Sequence, residues 1–125
     1  MTISYSEINA ALDVVAITGT LDTYEGDTAL WDDDIQPSDF TGKGINFYMS
    51  GSYDPTIDYD EYNFTVNCRA PTKADSITIA NAVITELDRR NYSGYYTTCT
   101  ALPTLPPASE TDNYNTIITV NLTKH

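Results

Sequence analysis

The feature that most constrains the fold is a change in the spacing of apolar residues near position 71. In EYNFTVNCRA, residues 61–70, every second residue is apolar or small, as in a strand with one buried face: Tyr62, Phe64, Val66, Cys68 and Ala70. Over residues 72–91 the spacing becomes helical, and the apolar stripe consists of Ile77, Ala80, Val83, Ile84 and Leu87. Thr72 is predicted to cap this helix, with Asp75 in its first turn. A one-faced strand that leads directly into an amphipathic helix predicts a helix packed on a sheet.

The remaining patterns complete that layout. SYSEINAALDVV, residues 4–15, predicts a helix capped by Ser4 and Glu7, with an apolar face of Ile8, Ala11, Leu12 and Val15. Three further strands are predicted at residues 45–50, 94–102 and 114–122, and a short one ends at Gly26. Residues 27–44, 51–60 and 103–112 are predicted to be loops, the last exposed and proline-rich. The expected fold is a single α+β domain over residues 1–125, with an antiparallel sheet of about four strands and two helices packed on one face.

Charge excludes one class of function. The formal net charge is −12, and 11 of the 18 acidic residues lie between Asp22 and Glu61, where Lys43 is the only base. A protein that grips nucleic acid needs a basic face to neutralise phosphates, so this chain is not expected to bind DNA or RNA specifically. It has no recognisable export signal and no apolar run of the ~20 residues that span a bilayer. We therefore expect a soluble protein made in a cytoplasm, without a membrane partner.

No catalytic constellation is visible. Nucleophilic catalysis needs a nucleophile, a base and an orienting group, yet the only histidine is His125. Cys68 and Cys99 fall on predicted strands and are interpreted as buried thiols, although a disulfide between neighbouring strands is an alternative. The glycine-rich phosphate loops are absent. We expect neither an enzyme nor a bound cofactor.

Calcium binding is the chemical alternative. Two acidic segments together offer seven carboxylates: Asp32, Asp33, Asp34, Asp54, Asp58, Asp60 and Glu61. Calcium takes six to eight oxygen ligands, but the spacing does not match an EF-hand, because no glycine occupies the sixth position. A calcium-dependent binding module therefore stays open as a function of another class, whereas a solvated acidic loop without metal is the simpler interpretation.

Two loops combine acidic and aromatic residues. The first, here called the Asp loop, covers residues 31–40, and its candidate residues face a partner or a lumen: Trp31, Asp32, Asp33, Asp34, Asp39 and Phe40. The candidate residues of the second loop are Tyr53, Asp54, Asp58, Tyr59 and Asp60. Aromatic residues concentrate at the centres of protein–protein contacts, so Trp31 and Phe40 are expected to order against a partner. The combination predicts an assembly protein.

The order of elements around YNFTVNCRAPTKADSITIANAVITEL, residues 62–87, resembles the tail terminator, or tail completion, proteins of long-tailed bacteriophages. The lambda-like minor tail protein U group is the comparison that it suggests, over roughly residues 4–15 and 45–123. The resemblance implies a virion protein at the head-proximal end of the tail, assembled in the host cytoplasm. It implies a ring, usually a hexamer, that caps the tail tube, stops its polymerisation and joins a head connector protein. No catalytic residue carries over.

The same resemblance implies that DNA passes through the lumen of the ring without specific binding. A net charge of −12 per chain agrees with that role, because an acidic wall repels duplex DNA and lets it slide. A neck or head-closure protein and a tail tube subunit remain alternatives. A tube subunit usually carries a longer hairpin for ring stacking, and GSYDPTIDYD, residues 51–60, could be such a hairpin.

Overall fold

A computed structural model of the chain describes residues 5–32, 37, 40–56, 59–92, 94–107 and 113–124. Its helices are α1 (Tyr5–Leu12), α2 (Val15–Thr18) and α3 (Lys73–Leu87). Its strands are β1 (Thr23–Tyr24), β2 (Asp27–Thr28), β3 (Leu30–Trp31), β4 (Gly44–Thr56), β5 (Tyr59–Ala70), β6 (Arg90–Tyr92), β7 (Tyr95–Ala101) and β8 (Tyr114–Lys124). In this part of the chain, no helix is long and apolar enough to cross a membrane.

One six-stranded sheet organises the molecule, in the order β3-β4-β5-β8-β7-β6. The four central strands are antiparallel neighbours and correspond to the four predicted strands. The sheet is larger than predicted because β3 adds a parallel strand at one edge and β6 an antiparallel strand at the other. Both added strands are three residues or shorter. Such short strands carry too little periodicity to be detected in the sequence.

The core lies between one face of the sheet and the helices. Alternate residues of β5 point into it, as predicted, and the register places Phe64 beside Val120 and Val66 beside Ile118. Phe47 of β4 is opposite Val66 and is fully buried. Burial of each such side chain stabilises the fold by about 1.5–3 kcal/mol. The alternation of apolar residues along β5 therefore predicted the buried face of the sheet correctly.

Helix α3 begins as predicted but presents a rotated face. The Asp75 amide donates to Thr72 Oγ1 at 3.2 Å, which confirms the cap. The buried positions are Ser76, Ile79, Ala80, Val83 and Leu87, whereas Ile77 is exposed. The reason is polar: the Ser76 hydroxyl donates to the Cys68 carbonyl at 2.7 Å inside the core. A serine on the buried side is invisible to a search for apolar periodicity.

The N-terminal helix is shorter than predicted. Ile8, Ala11 and Leu12 are buried as expected, but α1 ends at Leu12 and Val15 is 86% exposed. A separate turn, α2, then buries Ile17 in place of Val15. The strand predicted to end at Gly26 is a hairpin of β1 and β2 instead. Its turn places Glu25 at φ 52° and Gly26 at φ 87°, a conformation that the Gly favours.

Candidate functional site

The described end of the Asp loop is anchored by three aromatic rings. Trp31 and Phe40 lie with centroids 5.0 Å apart, and Tyr24 stands edge-on to both, at 6.2 Å and 5.8 Å. Phe40 is only 8% exposed. Edge-to-face rings stabilise each other beyond their burial alone. Trp31 and Phe40 are thus ordered by the chain itself, and their contact with a partner stays a prediction.

A close approach of the backbone makes room for these rings. Gly44 begins β4, and a Cβ at this position would lie 2.9 Å from the Phe40 ring and 3.1 Å from the Trp31 ring. Any larger residue would displace the aromatic cluster. The pairing of Trp31 with Asn46 puts both on the face of the sheet that points away from the core. The loop ends are therefore anchored on the outer face of the sheet.

Polar contacts hold the same region. The Lys43 amide donates to Asp22 Oδ2 at 2.8 Å, and the Lys43 ammonium lies 4.0 Å from the other carboxylate oxygen. The Asn113 side-chain amide donates to the Gly42 carbonyl at 3.1 Å. Asp22 and Asn113 come from distant parts of the sequence, so residues 42 and 43 connect the N-terminal and C-terminal parts of the chain.

Of the four acidic residues in the Asp loop, Asp32 is exposed. Asp33, Asp34 and Asp39 lie outside the residues that the structure describes. Among the described residues there is no group of three or more His, Cys, Asp or Glu side chains that could hold a metal ion. The calcium alternative needed residues of both acidic segments and stays a prediction.

The second predicted loop is largely a β-hairpin. Strand β4 continues to Thr56, β5 begins at Tyr59, and these two residues pair. Register shifts between Met49 and Gly51 and between Tyr53 and Thr56 allow the strands to continue past Gly51 and Pro55. Those irregularities break the alternation, and for that reason the sequence indicated a loop. The backbones of Tyr53, Asp54, Tyr59 and Asp60 lie on the hairpin, and Asp58 lies outside the described residues.

Pairs of amide side chains cross the outer face of the sheet. Asn115 donates to Asn67 across the strands at 3.0 Å, and Asn121 donates to Asn63 at 2.8 Å. Asn46, on the same face, is fully buried, and its side-chain amide has no hydrogen-bond partner among the described residues. A buried polar group without a partner costs free energy, so Asn46 is an unusual residue for this position.

Both cysteines are free thiols, as predicted, but only Cys68 is buried, because Cys99 is partly exposed. Cys68 is fully buried on β5, and burial raises the pKa of its thiol. Burial, with Asp88 adding to it, raises the pKa of Cys99 to about 12. Since the thiolate is the reactive form, both side chains are suppressed as nucleophiles at neutral pH.

Sequence reasoning missed one surface, which we call the Pro ridge and define as residues 101–106. Leu102 is 51% exposed and Leu105 is 49% exposed, and Ala101, Pro103 and Pro106 are exposed beside them. The sequence predicted that residues 101 and 102 end a strand and that residues 103–106 belong to an exposed loop, and it gave no sign that the whole segment is fixed in place. One feature of the sequence does distinguish this surface. Residues 91–109 form the longest run without Asp, Glu, Lys or Arg in a chain of net charge −12.

Comparison with known proteins gives one informative result. No protein-family model matches the sequence, and no curated protein matches it. Among solved structures, the fold is similar to a chain of the structure described as "Virion of native gene transfer agent (GTA) particle". The TM-score is 0.63 at 14% sequence identity, over 96% of this chain and 92% of that chain. The likeness shows a shared fold along nearly the whole length of both chains.

Proposed function

We propose that this chain is a structural protein of a phage-like virion and, more specifically, a tail terminator that closes the end of the tail tube as a ring. The observation that carries the proposal is the shared fold with a chain of a gene transfer agent virion, since it extends over nearly all of both chains. The terminator role itself is suggested by the order of elements, in which a strand of a sheet leads directly into a capped helix. The proposal includes no catalytic activity and no cofactor.

In this function the partners are further copies of the chain, a tail tube protein and a head connector protein. DNA would pass through the lumen without specific binding. The charge supports this role, since a hexamer would carry a net charge of −72, six times the −12 of one chain. Duplex DNA carries about one charge per 1.7 Å of its axis, so an acidic wall repels it at every step. Surface carboxylates such as Asp32, on the described part of the Asp loop, would contribute to that wall.

One observation favours a second candidate, a tail tube subunit. The hairpin of β4 and β5 extends from the pair Gly44 and Arg69 to the pair Thr56 and Tyr59, with two register shifts along its length. In a tube subunit, a hairpin of this length would contact the next ring. A terminator ends a stack of rings and a tube subunit continues it, so the two candidates differ in whether assembly stops.

Native mass, measured by light scattering across protein and salt concentration with negative-stain images of each peak, separates the candidates. Closed rings of about six subunits that do not grow further would support the terminator. Open-ended tubes would support the tube subunit, and a monomer at every concentration and salt would contradict both. High salt should favour assembly, because screening shortens the range of repulsion from about 10 Å at 0.1 M to about 3 Å at 1 M.

A further inference from the structure

The Pro ridge is an exposed apolar surface that is held in place by the rest of the fold. The Leu102 amide donates to the Ile117 carbonyl at 2.9 Å, and Leu105 and Asn115 exchange two backbone hydrogen bonds of 2.8 Å and 3.1 Å. The Thr104 hydroxyl lies 2.8 Å from that of Thr116. These contacts fix the backbone while the two leucines point toward solvent.

Thr116 connects the ridge to the core. Its hydroxyl also lies 2.8 Å from the Ser76 hydroxyl, which in turn donates to the Cys68 carbonyl. One chain of hydroxyl groups thus runs from the ridge through β8 to helix α3 and β5. A surface that is already ordered loses little conformational entropy when it binds, so less of the free energy of its contacts is lost on binding.

The prolines determine how the ridge can be contacted. Residues 101–106 follow β8 beyond the end of β7 and therefore form part of a sheet edge. Pro103 and Pro106 have no amide hydrogen, so another strand cannot pair continuously along this edge. A partner must instead contact the side chains of Leu102 and Leu105. This edge is protected from strand addition but open to apolar docking.

Charge indicates which partner fits. Two copies of a chain with net charge −12 repel each other, and repulsion is least where the facing surfaces carry no charge. The ridge lies in the longest uncharged run of the chain, residues 91–109. Towards the opposite edge of the sheet, residues 44–53 of β4 are also uncharged. Within this run residues 44–47 are buried, Tyr48 and Met49 are partly exposed, and Ser50 is exposed. Among the described residues, only Leu30 and Trp31 pair with the outer side of β4.

We propose that the Pro ridge docks against a second copy of this chain, on residues 48–50 of β4, beyond the two residues that pair with β3 at the opposite edge of the sheet. The two contact surfaces differ, so the interface is heterologous and repeats from copy to copy until a ring closes. This inference rests on the proposed ring function and names the surfaces that would build the ring.

The test compares the wild-type chain with Leu102→Asp/Leu105→Asp by sedimentation velocity over a range of protein concentrations. Two half-exposed leucines contribute about tenfold each when buried, so the dissociation constant should rise at least about 100-fold. The matched control is Val15→Asp/Ala16→Asp, which adds the same charge at two exposed positions of α2. It should associate as the wild type does. Far-UV circular dichroism should be unchanged in both variants.

A complementation experiment tests the opposite surface. Ser50 is exposed on β4, and Ser50→Asp places a charge on the proposed receiving surface while leaving the ridge intact. Each variant alone should be monomeric. A mixture of Ser50→Asp with Leu102→Asp/Leu105→Asp should form dimers, because one intact ridge can meet one intact β4. A mixture that stays monomeric overturns the pairing of ridge with β4.

The outcomes also separate this inference from the proposed function. Rings that form unchanged in Leu102→Asp/Leu105→Asp would refute the ridge contact and leave the ring function standing. A wild-type chain that never associates would refute the ring itself, and the ridge contact with it. Loss of association in the α2 control as well would assign the effect to added charge and would also refute the ridge.

Discussion

The Asp loop and the Pro ridge are both surface segments anchored on the sheet, but by different means. The described ends of the Asp loop are held by three aromatic rings, with Phe40 nearly buried. The ridge is held by backbone hydrogen bonds and hydroxyl groups, and its leucines remain half exposed. In the first, apolar groups supply the anchor and the Asp32 carboxylate belongs to the surface. In the second, polar groups supply the anchor and apolar side chains form the surface. Exposed residues therefore indicate what a segment could contact only when the groups that hold the segment in place are also known.

The largest expected effect is on the aromatic anchor. Phe40→Ala removes a nearly buried ring from its contacts with Trp31 and Tyr24 and should lower the free energy of unfolding by about 3 kcal/mol. Leu105→Ala is the matched control on the ridge and should change it by less than about 0.5 kcal/mol. Urea denaturation measures both. Equal effects at the two positions would mean that the ridge leucine is a structural residue and would remove the contrast between the segments.

A smaller effect is expected from the hydroxyl chain that anchors the ridge. Thr116→Val keeps the shape but removes the hydroxyl that contacts Ser76 and Thr104, and should cost about 1–2 kcal/mol. Thr104→Val should cost less, because Thr104 is only partly buried and can bond to water. Hydrogen exchange of the Leu105 amide should accelerate in Thr116→Val. No change in that exchange would show that the backbone bonds alone fix the ridge.

The smallest effect concerns the polar contacts beside the Asp loop. Asp22→Ala removes the acceptor for the Lys43 amide and a long, half-exposed ion pair, and should cost about 1 kcal/mol or less. Asp22→Asn keeps an oxygen acceptor and should recover most of that loss. Thermal unfolding at low and high salt separates the contribution of the ion pair from that of the amide hydrogen bond. A strong salt dependence of the loss would point to the ion pair, not the amide hydrogen bond, as the main contact.

The sequence allowed the central strands, the capped helix α3 and the buried face of β5 to be predicted, because each follows a regular repeat. It failed where the repeat was broken. Gly51 and Pro55 concealed the outer part of the hairpin, since the strands pass them through register shifts. Ser76 shifted the buried face of α3 because its hydroxyl is satisfied inside the core.

The candidate surfaces were harder to predict than the fold. The composition of the Asp loop drew attention to Trp31 and Phe40, but the sequence could not show that they pack on each other and over Gly44. The sequence also could not show that the Pro ridge is fixed in place. Its rigidity depends on Thr104, Leu105, Thr116 and their contacts across strands, and such contacts between segments leave no local pattern.

The pairing of β5 with β8 also has a consequence for how the chain folds. These strands are neighbours at the centre of the sheet, yet Ala70 pairs with Tyr114 and Asp60 with Lys124, so β8 must return to β5 from a distant part of the chain. During synthesis, the side of β5 that receives β8 stays without its partner until residues 114–124 have left the ribosome. Pairing between distant segments slows folding, and an uncovered strand edge invites association with other chains. Strand β8 thus completes the centre of the sheet, and the chain is most prone to association before β8 is available.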